Sequence, residues 1–178
     1  MLFKTHIVSS LAVSEVILII SSNLFNFNIL SIDFFIFLFF VFIGSIFPDI
    51  DEQNSKISKS LPPFISLYIN RIFGHRGFTH SLLGISLITF LFYIILGDID
   101  YKNSYIYGFF IGNILHVIGD MVTYSGISHF FTFNRNVIKL NFFGSFLVGS
   151  TYEIKLYLYF LSINLIYVIY LIYLSTYL

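Results

Sequence analysis

Long apolar runs broken by short polar clusters dominate the chain. Stretches approaching the about 20 residues that a helix needs to cross hydrocarbon lie at Ile7 to Ser22, Ile29 to Phe47, Ser81 to Gly97, Tyr105 to Val122 and Leu156 to Leu178. The runs do not alternate with polar residues, as the strands of a membrane barrel must; Phe34-Phe35-Ile36-Phe37-Leu38-Phe39-Phe40 is apolar throughout. The pattern therefore predicts an all-α fold, a polytopic membrane helix bundle of about five transmembrane helices forming a single domain over residues 1–178. The first run is short enough to resemble the apolar part of a secretory signal. No small-x-small cleavage site follows it and the second run begins almost at once, so it reads as a mature helix. Pro62-Pro63 opens a further stretch, Phe64 to Phe73, that is too short to span and predicts an amphipathic helix lying in the interface.

Composition agrees with a lipid environment. Of 178 residues, 57% are hydrophobic, 21% aromatic and 10% charged, against about 25% charged in ordinary soluble domains. Nine basic residues balance nine acidic ones, which leaves little for counterion-release binding to nucleic acid, and no nucleic-acid partner is expected. With zero cysteines, disulfides, thiolate metal sites and thiol nucleophiles are absent. Given five spans and a cytoplasmic N-terminus, eight basic residues fall inside (Lys4, Lys56, Lys59, Arg71, Arg76, Arg135, Lys139 and Lys155) and only Lys102 outside. By the positive-inside rule this predicts a multi-pass protein of the cytoplasmic (inner) membrane with its N-terminus and both long loops, 48–80 and 123–155, in the cytoplasm.

On that topology the chemistry-bearing residues gather at one face. His6 begins span one; Asp49 and Asp51 follow span two; His75 and His80 precede span three; His116 and Asp120 lie in the cytoplasmic half of span four; Glu153 precedes span five. The sides were assigned from lysines and arginines alone, so the coincidence is independent evidence for a metal site. Each piece also has a plainer reading. His116 and Asp120, four apart, share a helix face and suit either two ligands of one ion or a structural hydrogen bond. Pro48-Asp49-Ile50-Asp51 is a helix stop with solvated acids or a pair of hard oxygen ligands. Gly74-His75-Arg76-Gly77-Phe78-Thr79-His80-Ser81 is more specific, two histidines about a glycine turn, with Arg76 suited to a phosphate, to lipid headgroups or to topogenic charge. Glu15 reads as a supporting residue or a buried helix–helix contact, Asp33 as a capping or snorkelling residue at the outer end of span two, and nothing fixes the position of His129.

These strings together resemble the YdjM-like family of inner-membrane proteins, described as metal-dependent hydrolases and as LexA-binding or LexA-regulated. The likeness rests on Pro48-Asp49-Ile50-Asp51, the string from Gly74 to Ser81, His116 with Asp120, His6 in the first helix, and Gly149-Ser150-Thr151-Tyr152-Glu153. It runs from about residue 3 to about residue 156. Thr123-Tyr124-Ser125-Gly126 and Phe131-Thr132 depart from the family's Thr-Pro-x-Gly turn and later Trp-Pro. A fainter likeness is to zinc-dependent phospholipase C and P1 nuclease, whose ligands come as an early His, an Asp, a His and then His-x-x-x-Asp on one helix. The family resemblance assigns the recurring polar positions to His6, Asp49, Asp51, His75, His80, His116, Asp120 and Glu153. The fainter one implies phosphate-ester hydrolysis.

The expected cofactor is a divalent metal, zinc first and manganese second, held by His6, Asp49, Asp51, His75, His80, His116 and Asp120. Asp51 or Glu153 would accept the proton of an activated water, and Arg76 would hold a nonbridging oxygen of a phospholipid or other amphiphilic phosphate ester. The rival readings are a non-enzymatic membrane protein with a structural or regulatory metal, and a transporter. Transport would need polar groups through the membrane depth, which the featureless fifth span does not supply.

Overall fold

The computed structural model describes residues 1–25, 30–127, 138–140 and 145–177. His129, Arg135, Phe131-Thr132, residues 26–28 of the 23–28 connection and the last residue of the fifth predicted span lie outside these. Seven α-helices occur among the described residues: α1 (Phe3–Phe25), α2 (Ile32–Ile46), α3 (Lys56–Lys59), α4 (Pro63–Phe73), α5 (Leu82–Leu96), α6 (Lys102–Met121) and α7 (Thr151–Tyr177). Each predicted span coincides with one of α1, α2, α5, α6 and α7. Among the described residues, three stretches, Phe3–Ser22, Ile32–Asp51 and Thr151–Thr176, are long and apolar enough to cross a membrane by themselves. α5, with 15 residues, reaches only about 22 Å at 1.5 Å per residue.

α6 carries too many polar residues to count as an apolar span, and the packing explains how it is accommodated. It lies against α2 along most of its length and also contacts α1 and α5, while α7 packs on α1. Asn113, His116 and Asp120 are thereby buried in protein, where intramembrane polar groups are tolerated. Intimate contact between α2 and α6 depends on glycine. A Cβ on Gly112 would sit 2.3 Å from the Val41 carbonyl oxygen, and one on Gly44 the same 2.3 Å from that of Phe109, so the backbones touch directly, as in small-residue helix pairs of membranes. The outer faces of α5 and α7 expose Ile95, Leu158, Ile166 and Ile169, the surface that lipid covers.

α2 gives way at Pro48 to a 3-10 turn over Phe47–Asp51, and a second such turn, Phe78–His80, leads into α5. Between them α4 leaves Phe64, Leu67, Tyr68 and Ile72 unpacked, spaced three to four apart on one side, the pattern of a helix lying in a membrane interface. Asn70 ties α4 to the first turn by donating to the Asp51 carbonyl at 2.8 Å. The connection from α6 to α7 returns to the bundle through bridges between Thr123 and Phe146 and between Ile127 and Ile138. The start of α1, the end of α2, the start of α5, the end of α6 and the start of α7 consequently meet at one end of the bundle.

Candidate metal centre

α6 supplies the centre of the cluster. His116 is fully buried, and its Nδ1 donates to the Ser45 carbonyl at 2.7 Å. That bond leaves the Nε2 lone pair directed inward, where it has no hydrogen-bond partner among the described residues. One turn on, Asp120 points the same way. The His6 ring of α1 stacks on His116, centroids 3.7 Å apart and planes within 10°, with its Nε2 3.3 Å from Asp120 Oδ1. Neither His6 nitrogen has a hydrogen-bond partner among the described residues. Gly119 admits this ring, since a Cβ there would already lie 3.3 Å from His6 Nδ1. From the second 3-10 turn, His80 brings its unpartnered Nε2 to 3.8 Å from Asp120 Oδ2. From the first, Asp49 places Oδ1 3.6 Å from His116 Nε2.

Asp51 stands behind this group and is completely buried. Its Oδ1 lies 3.0 Å from His75 Nδ1; its Oδ2 accepts from the Arg76 backbone N–H at 2.9 Å and from the Thr79 hydroxyl at 2.7 Å, and lies 3.2 Å from His80 Nδ1. A carboxylate on Nδ1 turns Nε2 of His80 toward the cluster. Asp51→Asn is therefore expected to weaken metal binding about 10–100-fold, the usual effect of removing such a support; competition against a chelator of known affinity measures it, and unchanged affinity would remove Asp51 from this role. His75 itself stays outside the cluster, at the surface, and its hydrogen bond to Asp51 raises its pKa above the ordinary histidine value.

Arg76 adopts a left-handed backbone, φ 58°, uncommon for a residue with a side chain. Its guanidinium bridges the α4–α5 loop to α6 and the loop beyond, reaching Asp120 Oδ2 at 2.8 Å, the Gly126 carbonyl at 2.9 Å and the Ser125 hydroxyl. Asp120 Oδ1 also pairs with the amino group of Met1. Glu153 serves the frame. Its Oε1 accepts from the Leu2 backbone N–H at 2.6 Å and its Oε2 from that of Gly149 at 2.7 Å, a variant of the capping box at the start of α7. Asp51 and Glu153, expected from the sequence as proton acceptors, thus have partners on both oxygens, as Asp120 also does, but unlike Asp120 they fall in no group with ligand geometry among the described residues.

Among the described residues, two groups have geometry for an ion: His6, His116 and Asp120, and Asp49, His80 and His116, with ligand atoms within 4.8 Å of one another in each. They share His116, whose Nδ1 is taken by Ser45, and one imidazole nitrogen has a single lone pair to give. That nitrogen can serve one ion at a time, so the two groups describe overlapping ligand choices around a common centre. Buried imidazole nitrogens left without partners are costly, and a divalent cation in either group would satisfy two of them at once; the donor set fits the group. His6, His80, His116 and Asp120 are buried, whereas the Asp49 side chain keeps 20% exposure and faces an open cleft of about 320 Å³ that Glu52, Lys56, His75 and Arg76 also line. The supporting roles of Ser45, Ser125 and Gly126 carry no sequence signal, because they act through backbone oxygens or across loops. Thr79 lies within the motif from Gly74 to Ser81, but nothing in the sequence marks it as a donor to Asp51.

The sequence model of the family described as YdjM inner membrane protein matches residues 1–178. The chain belongs to that family. Among curated relatives, inner membrane protein YdjM of Escherichia coli (strain K12) is 37% identical over 81 residues, 45% of this chain and 41% of that protein. Uncharacterized protein YvsG of Bacillus subtilis (strain 168) is 38% identical over 89 residues, 50% of this chain and 52% of that protein. The match thus spans about half or less of the length of these relatives. No solved structure matches. Membership makes this YdjM-family chain an inner-membrane type of protein, in keeping with its exposed apolar helices.

Proposed function

We propose that this YdjM-family protein is a membrane-embedded, metal-dependent hydrolase of phosphate esters, working at the cytoplasmic face with its N-terminus inside. The carrying observation is the convergence of unpartnered, buried nitrogens of His6, His80 and His116 with the carboxylates of Asp49 and Asp120. The excess of basic residues in the loops at this end supports the orientation, and the order His, Asp, His, His-x-x-x-Asp supports the phosphoesterase class by analogy. Mixed imidazole and carboxylate donors suit zinc first and manganese second.

His6, His116 and Asp120 would hold the ion, with His80 or Asp49 completing the set. A divalent ion so bound supplies Lewis acidity, lowering the pKa of a water to about 7 and polarising a phosphoryl oxygen. Asp49, the candidate ligand with a carboxylate exposed at the cleft, would accept a proton where His80 completes the ligand set. Arg76 lines the same cleft and brings positive charge to a phosphate there. Asp51 and Glu153 position the loops that carry these groups.

Protein purified in detergent is expected to retain metal by elemental analysis and to hydrolyse bis-para-nitrophenyl phosphate or para-nitrophenyl phosphate. Chelation abolishes that activity, and added zinc or manganese restores it. Hydrolysis persisting after complete metal removal overturns the proposal. A second reading, a structural or regulatory metal, draws on the burial of His6, His80, His116 and Asp120, four donors that would close a tetrahedral zinc site. It predicts that metal removal unfolds the protein and that no ester is turned over with metal bound.

A further inference from the structure

Beside the polar cleft lies a second cavity of about 320 Å³, formed by α1, α6 and α7 and lined almost entirely by carbon. α6 and α7 both pack on α1, and the wedge between them is left unfilled. α1 and α7 run into it from the end nearest the cluster, and α6 runs the opposite way. Met1, Gly119, Val122 and Leu156 stand at the end nearest the metal cluster, and Val13, Leu115 and Phe160 at the end deeper in the bundle. From Val122 to Leu115 the groove follows α6 for about 10 Å at 1.5 Å per residue. Ile118 at 39% and Tyr159 at 61% exposure leave its side open to surrounding lipid.

The groove and the cleft adjoin at Met1. Met1 lines both, and Gly119, in the groove wall, touches the His6 ring at the cluster. A polar compartment lined by Lys56, Arg76, Asp49 and Asp120 therefore lies next to an apolar trough that lipid can enter sideways. Its size falls in the range of small-molecule pockets, about 300–1,000 Å³. We propose that this groove seats the hydrocarbon chain of a phosphate-bearing lipid whose headgroup occupies the cleft, so that the hydrolase of the preceding section acts on long-chain rather than water-soluble esters. The substrate class rests on that reading; the binding of the chain does not.

Two variants test it at positions remote from the ligands. Val13→Trp fills the deep end of the groove and Phe160→Ala enlarges it. Toward a dioleoyl phosphate ester in mixed micelles, Val13→Trp is expected to lose about tenfold or more in kcat/KM, the scale on which apolar pockets discriminate. Hydrolysis of bis-para-nitrophenyl phosphate and metal content stay at the unaltered level, which also reports folding. Phe160→Ala shifts the preferred chain toward greater length. Catalysis-independent binding is read by photolabelling the full-length protein in phosphatidylcholine vesicles with a phosphatidic acid bearing a diazirine in its acyl chain. Labelling of Leu115, Ile118 or Leu156 that Val13→Trp suppresses supports the groove, even in a protein that turns over no ester. Such an inactive but labelled protein overturns the hydrolase reading alone. Labelling confined to outer faces such as Ile95 and Ile166, or long-chain and soluble substrates affected equally by Val13→Trp in a protein of normal metal content, overturns the groove.

Discussion

His116→Ala is expected to empty the centre of metal and lower ester hydrolysis by about three orders of magnitude, since a catalytic ion supplies several kcal/mol and each 1.36 kcal/mol is tenfold. His116 belongs to both possible ligand groups, so no rearrangement among the remaining donors replaces it. The substitution also frees the Ser45 carbonyl and removes the ring on which His6 stacks. Because loss of activity alone could reflect collapse, the measurement pairs elemental analysis with helical content and thermal unfolding in detergent. His116→Gln, which keeps volume and a polar tip, separates the two effects: metal lost with the fold retained is the expected outcome. Metal retained after the combined His116→Ala and Asp120→Ala change would end the assignment.

Gly112→Leu is expected to produce the largest loss of stability, about 3 kcal/mol, of the kind seen when a close-packed interface is overfilled. A Cβ at this position falls 2.3 Å from the Val41 carbonyl and 2.9 Å from the Ser45 backbone nitrogen, and neither obstacle is a side chain that can swing aside. α2 and α6 must separate. Since α2 carries Ser45 and leads into Asp49, while α6 carries His116 and Asp120, separation also pulls apart the 3.6 Å approach of Asp49 to His116. Metal affinity should fall with the unfolding temperature. Ile95→Ala, at a side chain 80% exposed, removes comparable bulk from a lipid-facing position and should change neither. Equal stability of the two variants would contradict the backbone contact described here.

Much of the helical plan was legible because it depends on local hydrophobicity. The apolar runs at Ile7 to Ser22 and Ser81 to Gly97 reappear within α1 and as α5, and the Pro62-Pro63 start of the interfacial segment reappears as α4, beginning at Pro63. α7 starts earlier than its apolar run, at Thr151, because Ser150 and Glu153 furnish an N-terminal cap that hydropathy does not register. The number of membrane crossings is less readily read from composition. α6 is helical but polar, and what accommodates it is its burial by α1, α2 and α5, a fact about neighbours.

The membrane class, the all-helical fold and the gathering of histidines and acids at one end follow from the order of residues, since run length, loop charge and position along a span are properties of the chain itself. The division of labour among those polar residues required the folded molecule. Asp49 and Asp51 stand two apart in one motif, yet one faces the cleft and the other is enclosed beneath His75, Arg76, Thr79 and His80. His75 and His80 flank the same turn, yet one is at the surface and the other buried against Asp120. Whether a carboxylate has a lone pair to spare depends on which donors distant segments bring to it, and those are set by how helices pack.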